Sequence, residues 1–218
     1  VYDIVVSASD GTNSTDQAVA ITVTDLNDNL PVFTSASSFT VAENQTSAFT
    51  AVATDADAGT TITYSLSGAD AAAFKIDAAT GVVTFVTAPD YEAPGGQSFD
   101  IVVTASDGVN STDQPVTISV TDVNEAPVFT SGSTASVAEN QTAAYTAAAS
   151  DPDLTSPTYS ISGGADAALF NIDAATGVVT FKTAPDFENP ADAGGNNVYD
   201  IVVRASDGTN NVDQSVAI

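Results

Sequence analysis

The sequence predicts an all-β protein built as tandem Greek-key β-sandwiches of seven strands each. Three observations carry that expectation. First, the text repeats: "VVSASDGTNSTDQAVAITVTDLNDNLPVF" closes at Phe33 and "VVTASDGVNSTDQPVTISVTDVNEAPVF" at Phe129, 96 positions later, a period the size of one small domain. Second, β-branched and aromatic residues alternate with polar ones at the period of a half-buried strand. Third, turn signals punctuate these segments, with "SDG" at 9–11, 106–108 and 206–208, "ATG" at 79–81 and 175–177, and "PGG" at 94–96.

Taken in order, the first full repeat is expected over 30–122, with strands at 39–42, 48–53, 61–67, 73–76, 82–86, 98–105 and 115–121. "TITYSLS", "GVVTFV", "FDIVVTAS" and "PVTISVTD" are the strongest of these segments. In the sixth strand Ile101 and Val103 share one face and Asp100, Val102 and Thr104 the other, so the Ile101 face is expected to point inward. Lys75, between Phe74 and Ile76, is then aimed outward. Only "ADAAAF" (69–74) and "ADAALF" (165–170) suggest a helical turn. A second domain is expected over 126–218. Residues 1–25 match the last quarter of a repeat, and two strands alone do not bury a core; the chain therefore reads as a fragment of a longer repetitive protein.

The charge balance narrows the partners. There are 28 Asp plus Glu against 3 Lys plus Arg, a formal net charge of −25. Such a surface repels nucleic acids and anionic membranes and attracts cations. No Cys and no His is present, which removes disulfides and thiolate or imidazole metal sites. No apolar run in this fragment approaches the length of a membrane span. No nucleophile–base arrangement stands out, and paired carboxylates such as Asp90 and Glu92, which could in principle serve acid–base chemistry, recur in each domain, which favours a structural role over an enzyme. "NST" and "NQT" at Asn13, Asn44, Asn110 and Asn140 match the glycosylation pattern and read as plain polar turns.

Most recurring carboxylates stand at the edges of apolar segments. Glu43 pairs in phase with Glu139, Asp55 with Asp151, Asp57 with Asp153, Asp90 with Asp186 and Glu92 with Glu188. If the sandwich ends lie at opposite poles, the "AEN" and "DYE" loops fall at one pole, and "DPD" and "ASDG" at the near pole of the next domain. Glu43, Asp90, Glu92, Asp122, Asn124, Glu125, Asp151, Asp153 and Asp207 would then gather around the linker. Close carboxylate pairs repel by about 1 to 4 kcal/mol, depending on local dielectric. Oxygen-only donors on flexible loops suit Ca²⁺, which takes six to eight oxygens at variable geometry, better than Mg²⁺ or Zn²⁺.

The ordered set "AEN", "D-x-D", "DYE", "ASD" and "DLNDNLP" resembles the cadherin repeat over essentially the whole chain, and "NIDAATGVVTF" and "DVNEAP" are similar to its bacterial members. The resemblance implies a cadherin-like, immunoglobulin-like sandwich and three Ca²⁺ ions at each junction. It implies that Glu43, Asp90 and Glu92 close the first full domain, that Asp122, Asn124 and Glu125 form the linker with backbone oxygens from Val123 and Ala126, and that Asp151, Asp153 and Asp207 belong to the next domain. At the earlier junction it implies Asp25, Asn27, Asp28 and Asn29 in the linker facing Asp55, Asp57 and Asp107. Glu139, Asp186 and Glu188 are the corresponding set at the far end of the second domain.

Three departures stand out. "DVNEAP" is one residue shorter than "DLNDNLP" and carries Glu125, no Asn follows either Asp-x-Asp as in the family, and the absence of Trp removes the strand-swap adhesion of vertebrate cadherins. The expectation is a calcium-rigidified adhesin or stalk segment, extracellular, from a secreted or cell-surface bacterial protein. Its expected partners are calcium, other copies of itself in homophilic contact, or a surface protein or polysaccharide. Two other readings remain open, a subunit of an extracellular sheath or filament and a calcium-dependent carbohydrate-binding module. The latter needs exposed aromatic residues, whereas Phe33, Phe74, Phe85 and Tyr64 stand where a core would want them.

Overall fold

The computed structural model describes residues Val1–Ile218, and the chain is almost entirely strand and turn. It divides into two compact units, Val1–Thr121 and Asp122–Ile218. In unit 1 one sheet runs Ser38–Ala42, Ser111–Thr121, Ser98–Ser106, Thr63–Ser67, with the first pair parallel and the others antiparallel. The facing strands are Ser47–Thr50, Val82–Phe85 and Phe74–Ile76, with a small pair Val32–Phe33 and Ala53–Thr54.

Alternation decides which face is buried. Ile101, Val103 and Ala105 point inward, as do Val116, Ile118 and Val120 on the neighbouring strand, and meet Phe49, Phe74, Val83 and Phe85 in one core. Phe74 and Phe85 lie 4.5 Å apart, and Phe99 meets both rings edge-on at 5.5 and 5.4 Å, an arrangement favoured by ring quadrupoles. The expected third strand holds over its last five residues. Lys75 is exposed as the alternation requires. Tyr64, Phe74 and Phe85 are buried and Phe33 packs partly buried against the same core, so they form no exposed aromatic platform.

The segment 48–53, expected as one strand, is two. At Val52 the chain leaves its partner Val82–Phe85 and turns to Val32–Phe33, and the Val52 carbonyl accepts from the N–H groups of Thr34 and Ser35 at 2.8 and 3.2 Å. The two short helical turns appear as 3₁₀ turns at Ala71–Ala73 and Ala167–Leu169.

Unit 2 repeats the plan. Thr158–Gly163, Asp200–Ser206 and Asn211–Ala217 form one sheet, and Ala143–Thr146, Val178–Phe181 and Phe170–Ile172 the other. Phe170 and Phe181 lie 4.5 Å apart, with Tyr199 edge-on where unit 1 has Phe99. The parallel pairing made by Ser38–Ala42 in unit 1 is here the single bridge Thr134–Ala217. Residues Tyr2–Ser9 and Ser14–Ile21 form an antiparallel hairpin whose side chains are nearly all exposed.

One turn must be Gly. At Gly81 the backbone has φ +71°, its N–H donates to the Asp77 carbonyl at 2.9 Å, and an added Cβ would stand 2.2 Å from the Ala51 oxygen. Gly177 repeats this against Ala147. Gly81→Ala is expected to lower urea-unfolding stability by about 2 kcal/mol or more. Gly95→Ala, also at positive φ but with nothing within 4 Å of the new Cβ, should cost about 1 kcal/mol. Equal losses would show that the close approach to Ala51 does not matter.

Candidate metal centre

The strand Ser111–Thr121 separates two acidic poles of unit 1. Asp107 leads into its start, and at its end the Thr121 carbonyl accepts from the Glu43 N–H at 3.1 Å. Eleven residues of strand place those ends about 33 Å apart.

At the first pole Asp55 and Asp107 each commit one oxygen to their own loop. Asp107 Oδ1 accepts from the N–H groups of Val109 and Asn110 at 2.7 and 2.6 Å, closing the turn at Gly108. Asp55 Oδ1 accepts from the Asp57 N–H at 2.8 Å. The linker segment folds onto these loops: Asp25 Oδ2 accepts from the Ala58 N–H at 2.6 Å, and the Asn29 N–H donates to Asp57 Oδ2 at 2.8 Å. Asn29 Nδ2 also donates to Asp57 Oδ1 and to Asp28 Oδ1. Carboxylate oxygens of Asp55, Asp57 and Asp107 thereby come within 4.8 Å of one another.

One feature of this pole fits a cation. Asp55 Oδ2 is buried and has no hydrogen-bond partner. Converging like-signed oxygens are unfavourable unless positive charge lies among them. The donors are carboxylate and amide oxygens, with the Asn29 carbonyl nearby, a set matched to Ca²⁺. Asp25, Asn27, Asp28, Asp55, Asp57 and Asp107, with the carbonyl of Asn29, are the residues that would hold it here.

Unit 2 builds its first pole from the same parts. Asp207 Oδ1 accepts from the N–H groups of Thr209 and Asn210, both at 2.6 Å. Asp151 Oδ1 accepts from the Asp153 N–H at 3.0 Å, and the Glu125 N–H donates to Asp153 Oδ2 at 2.8 Å. Asn124 Nδ2 donates to Asp207 Oδ2 at 2.8 Å. Asp151 Oδ2 and Asp153 Oδ1 are buried and have no partner. Asp122 is exposed in the same linker.

The second poles are set by Asn at positive φ. Asn44 and Asn140 both have φ 62° and donate their N–H to the Pro89 and Pro185 carbonyls at 3.0 and 2.9 Å, bringing "AEN" against the "PDYE" and "PDFE" loops. Glu43, 4% exposed, accepts the Tyr91 N–H at 2.7 Å, and Glu139 accepts the Phe187 N–H at 3.0 Å. Glu43 and Glu92 carboxylate oxygens lie within 4.8 Å of each other, as do those of Glu139, Asp186 and Glu188. Asp90 turns an oxygen to the N–H groups of Glu92 and Ala93 and serves its own loop.

Sequence reasoning missed Asn110 and Asn210. Asn110 Nδ2 donates to Asn27 Oδ1 at 3.1 Å and to the Asn29 carbonyl at 2.9 Å, and Asn210 Nδ2 donates to the Asn124 carbonyl at 3.1 Å. The signal was an Asn three residues after each "SD" Asp, at 13, 110 and 210. Also missed were Asp166 and Asp192, 4% and 7% exposed, which need no cation. Asp166 accepts from the Ala193 and Asp200 N–H groups at 2.7 and 2.8 Å, and Asp192 from those of Asn197 and Asn196, both at 3.0 Å.

Paired sandwiches carrying acidic loops at their poles define a class of repeat module, and comparison with known proteins assigns its family. The cadherin domain model matches residues 37–121 and 133–218, so the chain belongs to the cadherin family. It is 34% identical to rat protocadherin Fat 2 over 94% of its length and 32% identical to human protocadherin Fat 4 over all of it. In both cases it spans 5% of the relative. Human protocadherin-24 EC1-2 has a similar fold, with TM-score 0.56 and 23% identity, over 86% of this chain and 94% of that one. Mouse cadherin-23 EC22-24 gives TM-score 0.51 and 25% identity over 97% and 70%.

The hydrogen bonds also fix acid behaviour. The Asn29 amide holds the Asp57 carboxyl below its ordinary pKa. At Asp107 partial desolvation pushes upward, but the Asn110 and Val109 N–H groups outweigh it and the pKa falls. Asp192 is lowered first by the Asn196 N–H. A folded pKa below the unfolded value means that its stabilisation is complete above about pH 4 and is lost as pH falls through the depressed value. Chemical denaturation from about pH 5 down to pH 2 should therefore show an acid-labile component of unit 2 that Asp192→Asn removes. An unchanged pH profile in Asp192→Asn would contradict the assignment.

Proposed function

We propose that the chain is a segment of an extracellular adhesive stalk whose tandem cadherin domains are stiffened by calcium. The observation that carries this reading is the first pole of unit 1: Asp55, Asp57 and Asp107 converge, and a buried Asp55 oxygen lacks a partner. Unit 2 supports it with a second set of the same parts, Asp151, Asp153 and Asp207, against Asn124 and Glu125. Bound calcium supplies positive charge that offsets carboxylate repulsion. Asp25, Asp28 and Asp122, on the linker segments, are the side chains through which such charge would restrain the linker. Glu43, Asp90 and Glu92 form a further proposed set at the second pole of unit 1, and Glu139, Asp186 and Glu188 one at the second pole of unit 2.

Family membership and the relatives' names as protocadherins support an adhesive, non-enzymatic role for the stalk, with copies of itself or other surface molecules as partners. The formal net charge of −25 argues against nucleic acid as partner. No helix is long and apolar enough to cross a membrane. Extracellular calcium sites bind at about 10⁻⁴ to 10⁻³ M, so loading requires calcium levels found outside the cytosol.

Small-angle scattering with calcium and with chelator tests the stiffening. Chelation is expected to shorten the maximum dimension and give a flexible-chain profile, and Asp122→Ala with calcium present should reproduce the chelated profile. A profile unchanged by chelator would contradict the calcium lock.

A further inference from the structure

We propose that the Asn29 side chain is a built-in competitor for calcium at Asp57 in the first pole of unit 1, and that the matching oxygen of Asp153 in unit 2, where Glu125 holds the equivalent station, has no such competitor. This device presupposes the calcium sites proposed above. Asn29 and Glu125 hold the same backbone position, since each donates its N–H at 2.8 Å to the second Asp of an Asp-x-Asp loop. Their side chains act oppositely. Asn29 Nδ2 donates to Asp57 Oδ1, so both oxygens of that 6% exposed carboxylate are bonded. Glu125 has no side-chain N–H to give, and Asp153 Oδ1 is buried without a partner. Beside it Asp151, 7% exposed, also has a buried oxygen without a partner.

A divalent cation that takes Asp57 Oδ1 must first displace an amide donor. At Asp153 Oδ1 no such bond is broken, and Glu125 adds negative charge to the same pole. A hydrogen bond to a charged group contributes enough to move a binding midpoint about tenfold. Asn29 therefore stabilises the calcium-free pole of unit 1 and raises the calcium level at which it fills.

The test is a calcium titration of the ¹⁵N-labelled 218-residue chain, following the amide resonances of Asp57 and Ala58 for unit 1 and of Asp153 and Leu154 for unit 2. Asn29→Ala is expected to lower the unit 1 midpoint about tenfold and leave unit 2 unchanged. Glu125→Asn should raise the unit 2 midpoint beyond the value in Glu125→Ala, which removes the same charge without supplying an amide. An unchanged or raised unit 1 midpoint in Asn29→Ala overturns the competitor role and leaves the calcium sites standing. So does a Glu125→Asn midpoint equal to that of Glu125→Ala. Resonances that ignore calcium in the unaltered chain overturn the sites themselves.

Discussion

A division between the two oxygens of each recurring Asp governs both first poles. Asp55, Asp107, Asp151 and Asp207 each give Oδ1 to backbone N–H groups of their own loop. Those bonds fix the turns and with them the direction of the second oxygen. In Asp55 and Asp151 that second oxygen is buried without a donor, a cost a loop bears when a charge from outside the chain offsets it. Asp166 and Asp192 mark the contrast, because their burial is satisfied by N–H groups at both oxygens. The chain thus has two kinds of buried carboxylate, one complete in itself and one with an oxygen left without a donor.

The sandwich serves this chemistry by acting as a ruler. Strand Ser111–Thr121 is held between Ser98–Ser106 and Ser38–Ala42 with Ile118 wholly buried, so its ends cannot slip without turning Val116, Ile118 and Val120 toward water. Asp107 leads into one end of this strand and Glu43 is bonded to the other, which fixes a separation that flexible loops could not hold. Asn110 and Asn210 then tie the linker backbone to the loop that follows the preceding strand.

Much of this was legible in the residues because two periods are simple. Alternation placed Ile101 and Val103 inward, and the 96-residue phase paired the acids across repeats. What was not legible depends on distant partners. Val52 ends its strand because its carbonyl finds Thr34 and Ser35, eighteen and seventeen residues upstream. Asn110 looked like a glycosylation pattern, while its partners Asn27 and Asn29 lie 83 and 81 residues away.

The central claim, that these oxygens are arranged for a divalent cation, is tested most directly by calorimetric titration of calcium into the chelator-stripped chain at moderate salt. Saturable binding with midpoints at about 10⁻⁴ to 10⁻³ M is the predicted result. Absence of saturable binding up to about 10⁻² M, an order of magnitude beyond that range, would contradict it.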